Sequence, residues 1–224
     1  MSLNKEKAAE ISVLIADDHP IFRGGLKTLL LNASGFRYLG EAANGRDAVE
    51  KAGSLRPDVV LMDLLMPELD GIQATRAILE ERPAARVLVL SSLGEDNQIL
   101  LAIKNGASGY ILKVSPPEEL LQAIRQVFDG RPYFQPEVLS HLLRLLSTEG
   151  SPVTSVETLT ERELDVMKQV ATGANNLEIS RALNITENTV IKHISSILGK
   201  LGLENRTQVA LFALRAGLAP LYPE

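Results

Sequence analysis

The chain contains no cysteine in 224 residues, which excludes disulfides and thiolate metal sites. No apolar stretch approaches the roughly 20 residues that a bilayer span requires. The start has no basic segment followed by a long apolar run, so no secretory signal is read there. Tandem repeats and low-complexity tracts are absent too. A dominant charge is also lacking: the net charge is −5, and residues 159–224 carry seven Lys/Arg against seven Asp/Glu. The acidic surplus therefore lies wholly in residues 1–158, and the two parts read as different modules. What remains is an ordinary globular composition, 45% hydrophobic and 23% charged, long enough for one large or two small domains. These features predict a soluble cytoplasmic protein with no membrane contact. The polar first ten residues are expected to fray.

Between residues 11 and 130 the pattern alternates. Strand-like apolar runs fall at 11–16, 38–42, 59–62, 87–90 and 110–112, with helical patterns at 21–31, 46–52, 71–81, 96–105 and 118–128. Five such β/α units predict a parallel sheet with right-handed crossovers covering both faces. The flavodoxin-like strand order 2-1-3-4-5 sets strands 1 and 3 side by side at the switch point, where α/β folds place their chemistry. Strand 1 ends in Asp17-Asp18 and strand 3 in Asp63. Three acids at one rim repel unless a cation offsets them, and a hard metal ion is the simplest such cation. Ser91 ends the fourth run, Lys113 ends the fifth, and Tyr110 begins it. A hydroxyl and an ammonium facing an acid–metal cluster make a place for a phosphoryl group. An Asp there can itself attack phosphorus, and Mg²⁺ suits the role because it binds few carboxylates and keeps sites for phosphate oxygens. A lone Asp at a strand end can instead serve as a turn cap. Tyr110 can be plain core, and His19-Pro20 reads as a turn into the first helix.

Asp17-Asp18, Asp63 with Met66-Pro67 and Asp70-Gly71, Ser91, and Gly106–Tyr110 leading to Lys113 together resemble the receiver domain of two-component response regulators. The resemblance covers about residues 12–130. It implies Asp63 as phosphoacceptor and Mg²⁺ held by Asp17, Asp18, Asp63 and the Leu65 carbonyl. It makes Ser91 the switch hydroxyl, Tyr110 the aromatic that changes rotamer with it, and Lys113 the phosphoryl contact. A sensor histidine kinase is the implied donor. The chain departs from the pattern at Val114, where many receivers have Pro. The side chains two residues past Asp63 and Ser91 are Leu65 and Leu93. In receivers these positions flank the phosphoryl group, and two leucines offer water no hydrogen bond, so a long-lived phosphoaspartate is expected.

After residue 130 the rhythm changes. Residues 131–157 read as a linker holding a short helix near 137–146 and a small, polar stretch at 147–157. Four helical patterns and no strand follow in 158–219. The first opens on Thr160 and Glu163, a capping-box pair. The second spans 176–183, the third runs from Thr186 to Leu201, and Asn205 caps the fourth. In the third, Val190, Ile194, Ile197, Leu198 and Leu201 form one apolar stripe. Opposite lie Asn188, Lys192, Ser195 and Gly199, with Ile191 beside them, a slim polar face that can enter a DNA major groove. Leu159–Glu163, Gly173, Ile179-Ser180, Leu183, Ile185–Val190, His193, Leu201-Gly202 and Asn205–Thr207 resemble the LuxR/GerE-type helix-turn-helix domain. Together the modules resemble a NarL/FixJ-type response regulator.

That resemblance implies a phosphorylation-controlled transcription regulator that binds double-stranded DNA. Base-facing roles fall to Ile191, Lys192 and Ser195, and phosphate contacts to Thr186, Thr189, His193, Lys200 and Arg206. Ile191 stands where Lys is common. It can meet a thymine methyl but cannot read guanine. A DNA-binding module of zero net charge binds weakly alone, so a homodimer on adjacent half-sites is expected when the protein is phosphorylated. The only chemistry expected is its own phosphorylation and dephosphorylation. Three rival readings stand beside this one, the first a phosphorylation-independent DNA binder, against which the full set of acids with Ser91 and Lys113 argues. A Mg²⁺-dependent phosphatase would want a second acid where Leu65 stands. A helical bundle for protein contacts would fit the charge balance of the last module.

Overall fold

The computed structural model describes residues 10–92, 96–148 and 156–219; Leu93 and most of the first ten residues lie outside them. Eight alternating elements, β1 (Ile11–Ala16), α1 (Pro20–Asn32), β2 (Phe36–Ala42), α2 (Gly45–Leu55), β3 (Val59–Asp63), α3 (Gly71–Glu81), β4 (Arg86–Ser91) and α4 (Asp96–Lys104), lead into β5 (Gly109–Leu112). Then come α5 (Pro117–Phe128), β6 (Tyr133–Phe134) and α6 (Pro136–Thr148). After a 3₁₀ turn, the chain continues with α7 (Glu161–Ala171), α8 (Asn176–Leu183), α9 (Glu187–Leu201) and α10 (Arg206–Arg215).

Every strand pair is parallel, and the order is β2-β1-β3-β4-β5-β6. The first five positions match the flavodoxin-like expectation. β6 is an addition that sequence periodicity could not reveal, because two residues hold no period. It pairs along β5 through Gly109 and Tyr110.

The apolar strand runs are buried on both faces because helices cover both. Alternate residues point opposite ways. Val13, Ile15, Leu61, Leu88, Leu90 and Ile111 face Leu26 and Leu30 of α1 and Ile124 and Val127 of α5. Leu14, Val60, Met62 and Val87 face the alanines of α2 and Ala74 and Ile78 of α3. A third cluster joins Val89 and Tyr110 to Ile99 and Ile103 of α4, Val138 and Leu142 of α6, and Leu211 of α10.

The last four helices have their own core of Val166, Met167, Val170, Ile179, Val190, Ile197 and Val209. Thr160 and Glu163 form the capping box expected from sequence, and Asn175 with Glu178 forms a second one at α8. Asn184, left-handed at φ 51°, ends α8 and turns the chain into α9. These helices touch the α/β part through α10. Thr207 Oγ1 donates to the Ala107 carbonyl at 3.1 Å, and Asn205 Nδ2 donates to the Ile103 carbonyl at 2.9 Å.

Candidate functional site

β1 and β3 are neighbours with Ala16 opposite Met62. The residues just past those partners, Asp17-Asp18 and Asp63, are therefore delivered to one rim. Asp17 and Asp63 are buried. One ligand atom from each of Asp17, Asp18, His19 and Asp63 lies within 4.8 Å of all the others. His19 stands at the N-cap position of α1 without a side-chain cap bond, and its Nδ1 lies 2.7 Å from Asp18 and 3.3 Å from Asp17. His19-Pro20 is a turn by its sequence alone, and the adjacency of His19 to the paired acids is what marks it as a member of the cluster.

Lys113 follows β5, where its backbone N–H donates to the Ser91 carbonyl. Its Nζ lies 2.7 Å from both Asp17 Oδ2 and Asp63 Oδ2. Ser91 is buried at the end of β4, one residue beyond the partner of Asp63, and its hydroxyl donates to the Ser92 carbonyl at 3.0 Å. Leu65 has an exposed side chain, and its backbone N–H is near enough to the Asp63 carboxylate to oppose the rise in its pKa. Tyr110 is buried deeper, against α4. The acids, Lys113, Ser91 and Leu65 thus share one rim, with Tyr110 behind it.

The electrostatics are those of an acid cluster under strain. Burial, reinforced by the Asp17 charge, raises the Asp63 carboxyl above its ordinary range despite the Lys113 hydrogen bond. Burial alone would lower the Lys113 ammonium, but its close contacts with the Asp17 and Asp63 carboxylates outweigh that and raise it. One ammonium cannot neutralise three carboxylates. Two buried oxygens, Asp17 Oδ2 beside the Lys113 ammonium and Asp18 Oδ1 beside His19 Nδ1, have no partner in hydrogen-bond geometry. Hard, under-satisfied oxygens of this kind fit a Mg²⁺ ion.

On α9, Ile191, Lys192 and Ser195 are exposed on one face, away from buried Val190 and Ile197. Thr186 is exposed and caps the helix, and Thr189 and His193 are half-buried. Lys200 and Arg206 keep partners inside the protein. Lys200 Nζ lies 2.6 Å from Glu163 Oε2. Arg206 donates to Asn176 Oδ1 at 2.9 Å and to the Ala174 carbonyl. Glu163 closes the capping box that its spacing from Thr160 predicts. It also accepts from Ser196 and Lys200, more than 30 residues away, and ties α7 to α9.

Burial would raise the Glu163 carboxyl, but hydrogen bonds from Lys200, Ser196 and Thr160 outweigh it and hold it at about 2. A carboxyl depressed on folding adds stability above its unfolded value of about 4.5, and loses it as pH falls toward 2. Glu163→Gln is expected to cost about 2 kcal/mol at neutral pH, the scale of a charged hydrogen-bond network. In thermal melts of the full chain, the gap between the variant and the parent should close between pH 4.5 and 2. A gap independent of pH would contradict this.

Comparisons with known proteins agree on both modules. The family described as response regulator receiver domain matches residues 13–125. The family described as bacterial regulatory proteins, luxR family, matches residues 157–213. Response regulator protein VraR of Staphylococcus epidermidis is 38% identical over 208 residues, covering 93% of this chain and 98% of VraR. The crystal structure of response regulator ChrA from a heme-sensing two-component system is similar at TM-score 0.53 and 33% identity, over 94% of this chain and 99% of ChrA. A structure of the response regulator RcsB in complex with DNA is similar at TM-score 0.54 and 26% identity, over 92% of this chain and 98% of that one.

Proposed function

This chain belongs to the response regulators that join a receiver domain to a LuxR-family DNA-binding domain, and from that premise we propose that phosphorylation of Asp63 controls its binding to DNA. The observation that carries the reading is the cluster of Asp17, Asp18 and Asp63 under Lys113. A sensor histidine kinase in the cytoplasm is the donor. An Asp63 carboxylate oxygen attacks phosphorus, the P–N bond of the phosphohistidine breaks, and the departing imidazole nitrogen takes up a proton. Asp17, Asp18, Asp63 and the Leu65 carbonyl would hold Mg²⁺, which supplies charge neutralisation at the transferring oxygens. The Lys113 ammonium takes a further phosphoryl oxygen, and Ser91 donates a hydrogen bond to another. The rim also carries exposed Ile21, Leu65 and Val114, apolar ground on which a kinase helix can dock.

Coupling to DNA runs through packing. Tyr110 and Leu211 belong to one cluster with Ile99 and Ile103 of α4. A shift of Ser91 toward the phosphoryl group lets Tyr110 change rotamer, alters α4, and so biases the seat of α10. The freed helices pair as a homodimer on adjacent half-sites. α9 enters the major groove with Ile191, Lys192 and Ser195 at base edges, and Thr186, Thr189 and His193 meet phosphates. Lys200 and Arg206 join them by dividing their N–H donors between their internal acceptors and DNA phosphates. RcsB bound to DNA supports the placement of such a domain on a duplex. The test is DNA affinity of the full chain with and without acetyl phosphate. The reading predicts a rise of roughly 5- to 150-fold, the range of ordinary allosteric coupling; equal affinity would contradict it.

Two residue-level results follow. Leu65→Asn brings a hydrogen-bonding side chain beside the phosphoryl group and is expected to speed loss of phosphate roughly tenfold, about 1.4 kcal/mol off the barrier. A decay time equal to the parent's, followed after removal of acetyl phosphate, would contradict it. Ile191→Lys, at an exposed position of α9, is expected to change base preference at one operator position in a binding-site selection. An unchanged consensus would remove Ile191 from the reading face.

A further inference from the structure

At the end of the sheet opposite the acidic rim, a cleft of about 780 Å³ opens between the receiver and the DNA-binding helices. That volume is the size of an ordinary small-molecule site. Its lining includes five cationic side chains, Arg76, Arg86, Lys104, Arg131 and Arg206, against two acids, Glu80 and Glu204. Arg76 is taken up by Glu80 at 2.8 Å, and Arg131 by Asp129 at 2.8 Å with Glu178 at 3.8 Å.

Arg86 and Arg206 are placed differently. Arg86 starts β4, and its guanidinium donates to the Ala84 carbonyl at 3.0 Å. Arg206 starts α10, and its acceptors are the Ala174 carbonyl and the Asn176 amide oxygen. Neither has an ion pair among the described residues. Burial, with Arg86 nearby, pulls the Arg206 guanidinium down to about 10, and Glu178 offsets only part of this. Two more donors, Arg131 Nε and Arg206 Nε, are buried without an acceptor. Like charges brought together out of water are costly unless an anion joins them. The N-terminal end of α10 at Asn205–Thr207 lines the same cleft and adds the positive end of its dipole.

We propose that this cleft binds a small phosphate-bearing anion, gripped between Arg86 of the receiver and Arg206 of the DNA-binding domain. Arginine forks match phosphate oxygens in pairs, and two guanidiniums call for more than one negative charge. Leu79 and Pro132 give apolar walls for the organic part of a phosphate ester. Because the grip draws on both domains, the anion ties them together.

The test is isothermal titration of the full chain with inorganic pyrophosphate, in EDTA so that divalent metal at the acidic rim plays no part. Saturable binding is expected, weakened roughly tenfold or more by Arg86→Gln and equally by Arg206→Gln, since each removes one of two charged forks. Arg86→Lys should restore part of the loss. Acetyl-phosphate labelling of Arg86→Gln checks that the receiver remains folded. No binding at millimolar pyrophosphate would overturn the proposal. So would binding that neither substitution weakens, or binding weakened by one substitution alone, which would place the anion on a single domain.

Discussion

Asp63→Asn is expected to abolish the response of DNA binding to acetyl phosphate while leaving the protein folded. The amide cannot attack phosphorus, so the whole 5- to 150-fold rise expected of an allosteric switch should vanish. Stability should not suffer. Asp63 is a buried carboxylate beside Asp17, and burial and that neighbour raise its pKa, so its ionised form costs folding energy at neutral pH. Lys113 keeps Asp17 at 2.7 Å when Asp63 is neutralised. The variant should therefore melt at or above the parent's temperature in EDTA, which separates lost chemistry from lost structure. A variant that still tightens on DNA with acetyl phosphate would move the phosphoacceptor elsewhere.

Gly71→Ala is expected to be the most damaging single-methyl change at the rim. A Cβ on Gly71 would stand 1.9 Å from the Asp63 carbonyl oxygen and 2.9 Å from the Leu64 Cα. Both obstacles are backbone, so no rotamer can make room. Gly71 also donates its N–H to the Leu64 carbonyl at 2.9 Å and opens α3 behind the Asp70 cap. The substitution must push α3 away from the end of β3 and drag Asp63 with it. A cost of about 3 kcal/mol or more is expected, the upper range for overpacking, together with weaker acetyl-phosphate labelling in whatever fraction folds. Chemical denaturation and labelling of the same sample check both. An unchanged midpoint would show that the loop yields more easily than this packing allows.

The acidic rim was legible because its information is local. Val59–Asp63 is an apolar run ending in an acid, Ile11–Ala16 is another, and the parallel order that joins them follows from five β/α units. Asp70-Gly71 was readable as a turn motif, but the reason for its glycine lies in the approach of the Asp63 carbonyl, which no spacing encodes. The α9 face was legible for the same local reason: Val190, Ile194 and Ile197 mark one side, so Lys192 and Ser195 must occupy the other.

What could not be read were contacts between parts far apart in the chain. Leu211 looks like core of its own domain, yet it packs with Ile99 and Tyr110. Lys200 looks like an exposed cation at a helix end, yet Glu163, 37 residues earlier, holds it. Arg206 reads as a phosphate contact and is half-buried near Arg86. β6 is two residues long and depends entirely on β5 for its identity.

The most direct measurement is the metal dependence of phosphoryl incorporation. The full chain is incubated with acetyl phosphate, with Mg²⁺ or with EDTA, and the modified residue is located by peptide mapping. The account predicts label on Asp63 with Mg²⁺ and none in EDTA. Equal labelling without metal, or label on any residue other than Asp63, would contradict it.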